Sequence, residues 1–336
     1  MDDRTESCHW LLLRLAGHLP DDLLTRCRAW LAEENFDDLA RALVHIGIAA
    51  RLDFTVAEFD LLDELFELIE APPAMLVLLS TVEQPRPPLV EFAPTRDEAL
   101  ASVATLVAGG RPPMSTAEDE PDEVDQVVVS GTRRFGGAVW RTWRYASDGS
   151  PWPPLRRVYV VEVGDGLDLP AVTAELQRVL AGTGDPAPQV EVYPIGADLP
   201  SYQFSARGNG VLLWSSTPVV PPRIAPAEPG ETTIADPERG SVLRYLYGGE
   251  PLLINPEPVA DVVDPSRGEV VPTSFRTDGQ WIWNDASAYY LERHGRSPDP
   301  GLVEHIRSGG YAIPRVDGAS LHRADRALQQ FLAGRS

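Results

Sequence analysis

The sequence predicts an α+β protein, with an N-terminal helical bundle, a central mixed or antiparallel sheet with helices, and a C-terminal hairpin–helix–helix module. Three observations lead there. Apolar residues recur at helical spacing through residues 5–70. From 126 to 217, β-branched and aromatic runs stand between Gly, Ser and Pro turn signals. Residues 274–295, SFRTDGQWIWNDASAYYLERHG, join a turn, two tryptophans and a two-tyrosine helix.

The bundle is read helix by helix. In TESCHWLLLRLAG, Cys8, Leu11, Leu12 and Leu15 share a helical face, and Gly17 can end it. PDDLLTRCRAWLAEEN places Pro20 and two aspartates in its first turn, with Leu23, Leu24, Cys27, Trp30 and Leu31 on one stripe. FDDLARALVHIGIA repeats the pattern at Phe36, Leu39, Ala40, Leu43 and Val44. TVAEFDLLDELFELIE opens with Thr55 and Glu58 at capping-box spacing. Short loops between them predict a domain over 1–71, where 16 acids stand against 6 arginines.

A second domain is expected over 72–217. APPAMLVLLSTV contains the most apolar window of the chain, Met75 to Val82, and predicts a buried strand. TRDEALASVATLVAGG predicts a helix from Thr95 that stops at Gly109 and Gly110. Acids at Glu118, Asp119, Glu120, Asp122, Glu123 and Asp125 leave little to bury, so residues 115–125 are expected to form a mobile loop. QVVVSG, AVWRTWRYA, RRVYVVEVG, QVEVYPIG and GVLLWSST predict strands, and DLPAVTAELQRVLAGTG a helix. ARGNG at 206–210 reads as a turn. Residues 218–236 are proline-rich and predict a stiff connector; they also match the SH3-ligand pattern PxxPxR at Pro218, Pro221 and Arg223.

The last domain is expected over 237–336. PERGSVLRYLYGG predicts a short helix. Asp278 and Gly279 carry turn chemistry between VVPTSF and QWIW, so a hairpin follows, with Trp281 and Trp283 on one face and Ile282 on the other. Asn284 or Asp285 caps a helix ending at Gly295, and two further helices follow. Local agreement of turn, cap and stops predicts that the tryptophans serve mainly structure.

Composition narrows the function classes. The 336 residues hold 50 acids against 29 basic residues, a formal charge of −21. Nucleic acid needs a cationic face, so it is not the expected main partner. Anionic membrane surfaces are disfavoured on the same ground. The charge is read first as serving solubility; the sharper reading is a negative face that meets a basic partner. All 29 basic residues are arginine, a bias of GC-rich genomes of the actinobacterial kind. Without lysine, Schiff-base chemistry and a P-loop lysine are excluded. Met1 is followed by Asp2, Asp3 and Arg4 rather than by a basic start and an apolar run, so a cytoplasmic address is expected. Cys8 and Cys27 are too few for a disulfide framework.

GxSxG, HExxH, GxGxxG and Walker patterns do not occur in the sequence, and no cofactor is expected. Three looser constellations remain. Cys8, His9, His18 and Cys27 offer soft metal ligands, yet both thiols fall on apolar stripes and predict core residues without metal. Asp278, Asp285, Glu292, His294 and His305 offer carboxylate–histidine chemistry, against which stand turn, cap and dipole roles. Arg133, Arg134, Arg141, Arg144, Arg156 and Arg157 interleave with Trp140, Trp143 and Tyr145; pairing with the acidic stretch of the same chain is the favoured reading. The candidate partner-binding residues are Trp281, Trp283, Tyr289, Tyr290, Arg141 and Arg144. The competing reading is an enzyme whose site lies around Asp278, Asp285 and His294.

FRTDGQWIWNDASAYYLERHG with the following PDPGLVEHIRSGGY resembles a TDG.W.W hairpin–helix module of uncharacterised bacterial proteins, some of toxin-immunity type. The resemblance covers about residues 270–310 and brings no catalytic residues. It implies a small partner-binding domain, and for the chain a non-enzymatic protein-binding role of the immunity or adaptor kind.

Overall fold

The computed structural model describes residues 3–112, 120–218 and 220–334. They form an α+β protein of two compact units, Met1–Ser216 and Thr217–Ser336.

The first unit opens with α1 (Asp3–Arg14), α2 (Asp21–Ala32) and α3 (Phe36–Ala49), then the two-residue strand β1 (Asp53–Phe54) and α4 (Val56–Leu68). Asn35 caps α3, and Thr55 and Glu58 cap α4 reciprocally, as their spacing predicts. Next come β2 (Ser80–Thr81), β3 (Val90–Ala93) and α5 (Arg96–Val107). Then follow α6 (Glu123–Thr132), β4 (Ala138–Ala146), β5 (Arg156–Val163), α7 (Leu169–Ala181), β6 (Gln189–Pro194), α8 (Ser201–Gly208) and β7 (Val211–Ser215). The five-stranded sheet is mixed: β5 and β6 are parallel across α7, while β4 pairs antiparallel with β3, β5 and β7.

Period 2 sorts the strands of this sheet. Tyr159, Val161, Val190 and Val192 join a core cluster with Val128 of α6 and Leu176 of α7. The alternate positions Gln189 and Glu191 meet α2 and α8, through Thr25, Arg28 and Gln203. The helices expected as a separate bundle over 1–71 therefore share one unit with the sheet, because buried polar side chains tie α2 to β4 and β6.

Two segments depart from their expected state. QVVVSG lies in α6 and not in a strand. Asp125, Val128, Val129 and Thr132 are buried at helical spacing, and Asp122 and Asp125 cap the helix reciprocally. Capping and a packed face outweigh the β-propensity of three valines. In APPAMLVLLSTV, residues Pro73–Leu78 form a short 3-10 helix with only Leu76 buried. Two prolines, one at its start, withhold the N–H groups a strand ladder needs. Residues 115–119 of the expected mobile loop lie outside the described residues, and its end is the ordered start of α6.

The second unit holds β8 (Arg223–Ile224), α9 (Asp236–Gly248), β9 (Glu250–Leu253), β10 (Val259–Ala260), β11 (Glu269–Val271), β12 (Phe275–Thr277), β13 (Trp281–Asn284), α10 (Ala286–His294), α11 (Pro300–Ser308) and α12 (Gly318–Ala333). Its four-stranded sheet runs β8-β13-β12-β9, and β10 pairs β11 apart from it. The hairpin forms as predicted, with Thr277 opposite Ile282. Trp281 and Trp283 enter one core cluster, Ile282 the opposite one with Ala324 and Leu328 of α12. Residues 218–236, expected to be a connector, supply β8 alongside β13 and bury Ala225 and Ile234.

Candidate functional site

The hairpin turn is built by one carboxylate. Asp278 Oδ1 accepts from the amides of Gln280 and Trp281 at 2.8 and 2.7 Å. Gly279 supplies a φ of +88° at the turn. Asp278 Oδ2 is left to face the helices. There it accepts from Tyr245 Oη of α9 at 2.5 Å and from His305 Nε2 of α11 at 2.7 Å. Burial, and then the bond to Asp278, pushes the Tyr245 phenol above its ordinary range. A carboxylate can only accept, so Nε2 of His305 carries the proton of this bond and Nδ1 is the ring atom left for another partner. The His305 side chain is 22% exposed and that of Asp278 is fully buried.

A second constellation repeats this chemistry. Asp261 Oδ1 accepts from the amides of Val263 and Asp264 at 2.9 and 3.0 Å. Its Oδ2 accepts from Tyr289 Oη at 2.9 Å and His294 Nε2 at 2.7 Å. Burial pushes the Asp261 carboxyl up, but the bonds from His294, the Asp264 amide, Tyr289 and the Val263 amide outweigh it and hold the carboxyl well below the usual carboxylate range. Two aspartates thus knit loops to α9, α10 and α11 with every acceptor position in use.

Of the residues singled out in the sequence, Asp278 and His305 are brought together, but Asp285 and His294 are not. Asp285 pairs with Arg276 at 2.8 Å, and Glu292 accepts from Tyr247 at 3.4 Å. Asp261 and Tyr245 escaped the sequence reading. They lie 33 residues from their partners His294 and Asp278, and no local pattern links them.

The aromatic candidates are inside. Trp283 is 0% exposed and donates Nε1–H to Leu246 O at 3.1 Å. Trp281 is covered by Arg223, whose guanidinium lies 5.6 Å from the ring centroid. The PxxPxR arginine is therefore part of the sheet's packing. Tyr289 and Tyr290 are buried with Val271 and Ala286.

The arginine candidates are inside too, within the first unit. Arg141 donates to Asp125 at 2.6 Å, and Tyr159 Oη donates to the other oxygen at 2.7 Å. Arg157 binds Asp122 with both terminal nitrogens, at 3.0 and 2.6 Å. Arg144 grips Asp21 in a two-pronged pair at 2.7 and 2.9 Å, and Arg156 adds a third bond to the same carboxylate. Burial alone would raise Asp21; Arg144 and Arg156 overcome it and hold its carboxyl below the ordinary value. Pairing with the acidic stretch, the favoured reading of this arginine set, is displayed by Arg141 with Asp125 and Arg157 with Asp122; Arg144 and Arg156 pair instead with Asp21, and Arg156 also with Asp185, outside that stretch.

Cys8 and Cys27 are buried thiols and form no disulfide, and burial pushes Cys27 up to about 12. His9 is buried and donates Nε2–H to Val192 O at 2.8 Å, in the tautomer a carbonyl acceptor requires. Among the described residues no three His, Cys, Asp or Glu side chains are placed to hold a metal ion, and no helix is long and apolar enough to cross a membrane.

What remains outward-facing is different in kind. Val77 and Leu78 of the 3-10 helix are 82% and 66% exposed, and Met75 is 44% exposed. Nearby, α4 carries Glu58, Asp60, Asp63, Glu64 and Glu67, and α3 opens with Asp37 and Asp38. No protein-family model, curated protein or solved structure matches the chain.

Proposed function

We propose that this chain is a non-enzymatic protein-binding protein of the immunity or adaptor kind, and that its partner is basic. One observation carries the reading: the most apolar window of the sequence, which would be expected inside, lies largely exposed at Pro73–Leu78. Exposed apolar side chains rimmed by polar residues mark interaction sites. The charge supplies the sign of the partner. Among the described acids only Asp21, Asp125, Glu162, Glu191, Asp261 and Asp278 are buried, so most of the acidic excess lies on the surface. Such a surface draws basic partners and repels acidic ones.

The test is capture at low ionic strength from cells of the source organism. The wild type is expected to hold a basic protein that leaves as salt rises. The Val77→Asp, Leu78→Asp double variant is expected to release it. Equal capture by both proteins, or capture of nothing by either, overturns the reading.

A second reading rests on the Asp278–His305 pair. A histidine oriented by a buried carboxylate and part exposed can move a proton. It predicts a hydrolytic or isomerase activity that His305→Asn abolishes while the hairpin stays folded. Activity retained by that variant rules this reading out.

A further inference from the structure

We infer that the face between α3 and the chain after α4 is a docking groove for a basic amphipathic helix of a partner protein. The inference rests on the protein-binding reading above and says where and how that binding takes place. The groove has a volume of about 570 Å³. One wall is a single stripe of α3: Asp38, Arg41, Ala42 and His45, at i, i+3, i+4 and i+7. The facing wall is Phe66, Ala71, Pro72 and Met75, apolar throughout. Trp30 of α2 lines it as well.

The shape argues for a helix. Two turns of α3 run along the groove, about 10 Å. Ala42 and Ala71 are small, so an occupant's backbone can approach as a helix does between ridges. Met75 is flexible and polarizable, the side chain that adapts to apolar anchors. An amphipathic helix presenting apolar anchors at i, i+3 or i+4 and i+7 matches this lining.

The rim argues for a basic flank. Glu33, Glu34, Asp38, Glu67 and Glu70 are exposed and lie within four residues of the lining residues in sequence. Arg41 is spent on Asp37 at 2.9 Å. An apolar stripe flanked by lysine or arginine fits this rim, and one flanked by glutamate meets like charge.

Two labelled synthetic peptides of about four helical turns test it. They share one leucine stripe and differ in carrying lysine or glutamate on the other faces. Fluorescence anisotropy with the full-length protein should show the lysine peptide binding at least about tenfold more tightly than the glutamate peptide. Met75→Glu should weaken the lysine peptide by about tenfold or more, although it adds a negative charge that a purely electrostatic contact would welcome. Val107→Glu, on an exposed apolar residue of α5, should leave binding unchanged. The chain has three methionines, so a ¹³C-methyl spectrum resolves Met75 directly, and its signal should shift on titration. If the lysine peptide is preferred but Met75→Glu binds as tightly as the wild type and the methyl signal stays still, the groove is wrong while an acidic protein-binding surface survives. If neither peptide binds, the groove is overturned, and capture with the Val77→Asp, Leu78→Asp variant still decides the general reading.

Discussion

His9 shows how a single side chain sets a pH limit. Burial, with Arg28 adding to it and the bond to Val192 opposing it, lowers this imidazole to about 4. The unfolded chain takes up the proton near 6.5, the folded chain only near 4. Between those values the unfolded state binds more protons, so stability falls as pH falls. The loss begins below 6.5 and is complete near 4, about 3 kcal/mol in all. Equilibrium unfolding at pH 7 and pH 4.5 should show a smaller drop for His9→Gln, which keeps a donor for Val192, than for the wild type. An equal drop would place the acid sensitivity in the carboxylates instead. Cys27, pushed up to about 12 by burial, should resist alkylation in the folded protein at pH 8 and react only on unfolding, as mass spectrometry can follow.

At the scale of elements, the hairpin and α9 are locked by close approach. A Cβ on Gly249 would lie 2.3 Å from Cζ2 of Trp283, so only glycine fits where α9 turns into β9. Trp283→Ala should cost about 3–5 kcal/mol in denaturant unfolding. Gly249→Ala should destabilise as well. The two effects should be non-additive, because once the ring is gone the added methyl has room. In the sheet of the first unit, Asp125→Ala leaves the Arg141 guanidinium buried without that carboxylate. A cost of about 3–5 kcal/mol is expected, against little change for Asp37→Ala on the surface of α3. Similar costs for the two variants would contradict a buried role for Asp125.

For the whole molecule, the excess of 21 negative charges works against compactness. Added sodium chloride should raise the melting temperature by screening that repulsion, with most of the rise complete once the Debye length falls below about 8 Å. A melting temperature that falls with salt would mean that exposed ion pairs matter more than net repulsion. The same salt should weaken binding of the basic peptide, so stability and affinity should move in opposite directions.

What the sequence determined by itself is local. The capping box at Thr55 and Glu58, the turn at Asp278 and Gly279, the opposite faces of Trp281 and Ile282, and the stop at Gly295 each depend on residues a few positions apart. Period and φ preference suffice for these. The α+β class followed from the same periodicities. The tertiary structure decided the rest. Nothing local distinguishes Asp261 from other aspartates, yet the fold turns it into the anchor of Tyr289 and His294. The valines of QVVVSG read as a strand until Asp122 and Asp125 cap them and Leu176 packs on them. Arg141 and Arg144 look like a ligand surface until Asp125 and Asp21 meet them from distant positions. The candidate groove follows the same rule. The hydrophobic effect is non-directional, so an apolar run such as Met75–Leu78 announces only that something will cover it. Whether the chain's own core covers it depends on where two prolines and the end of α4 leave it, and here they leave Val77 and Leu78 exposed.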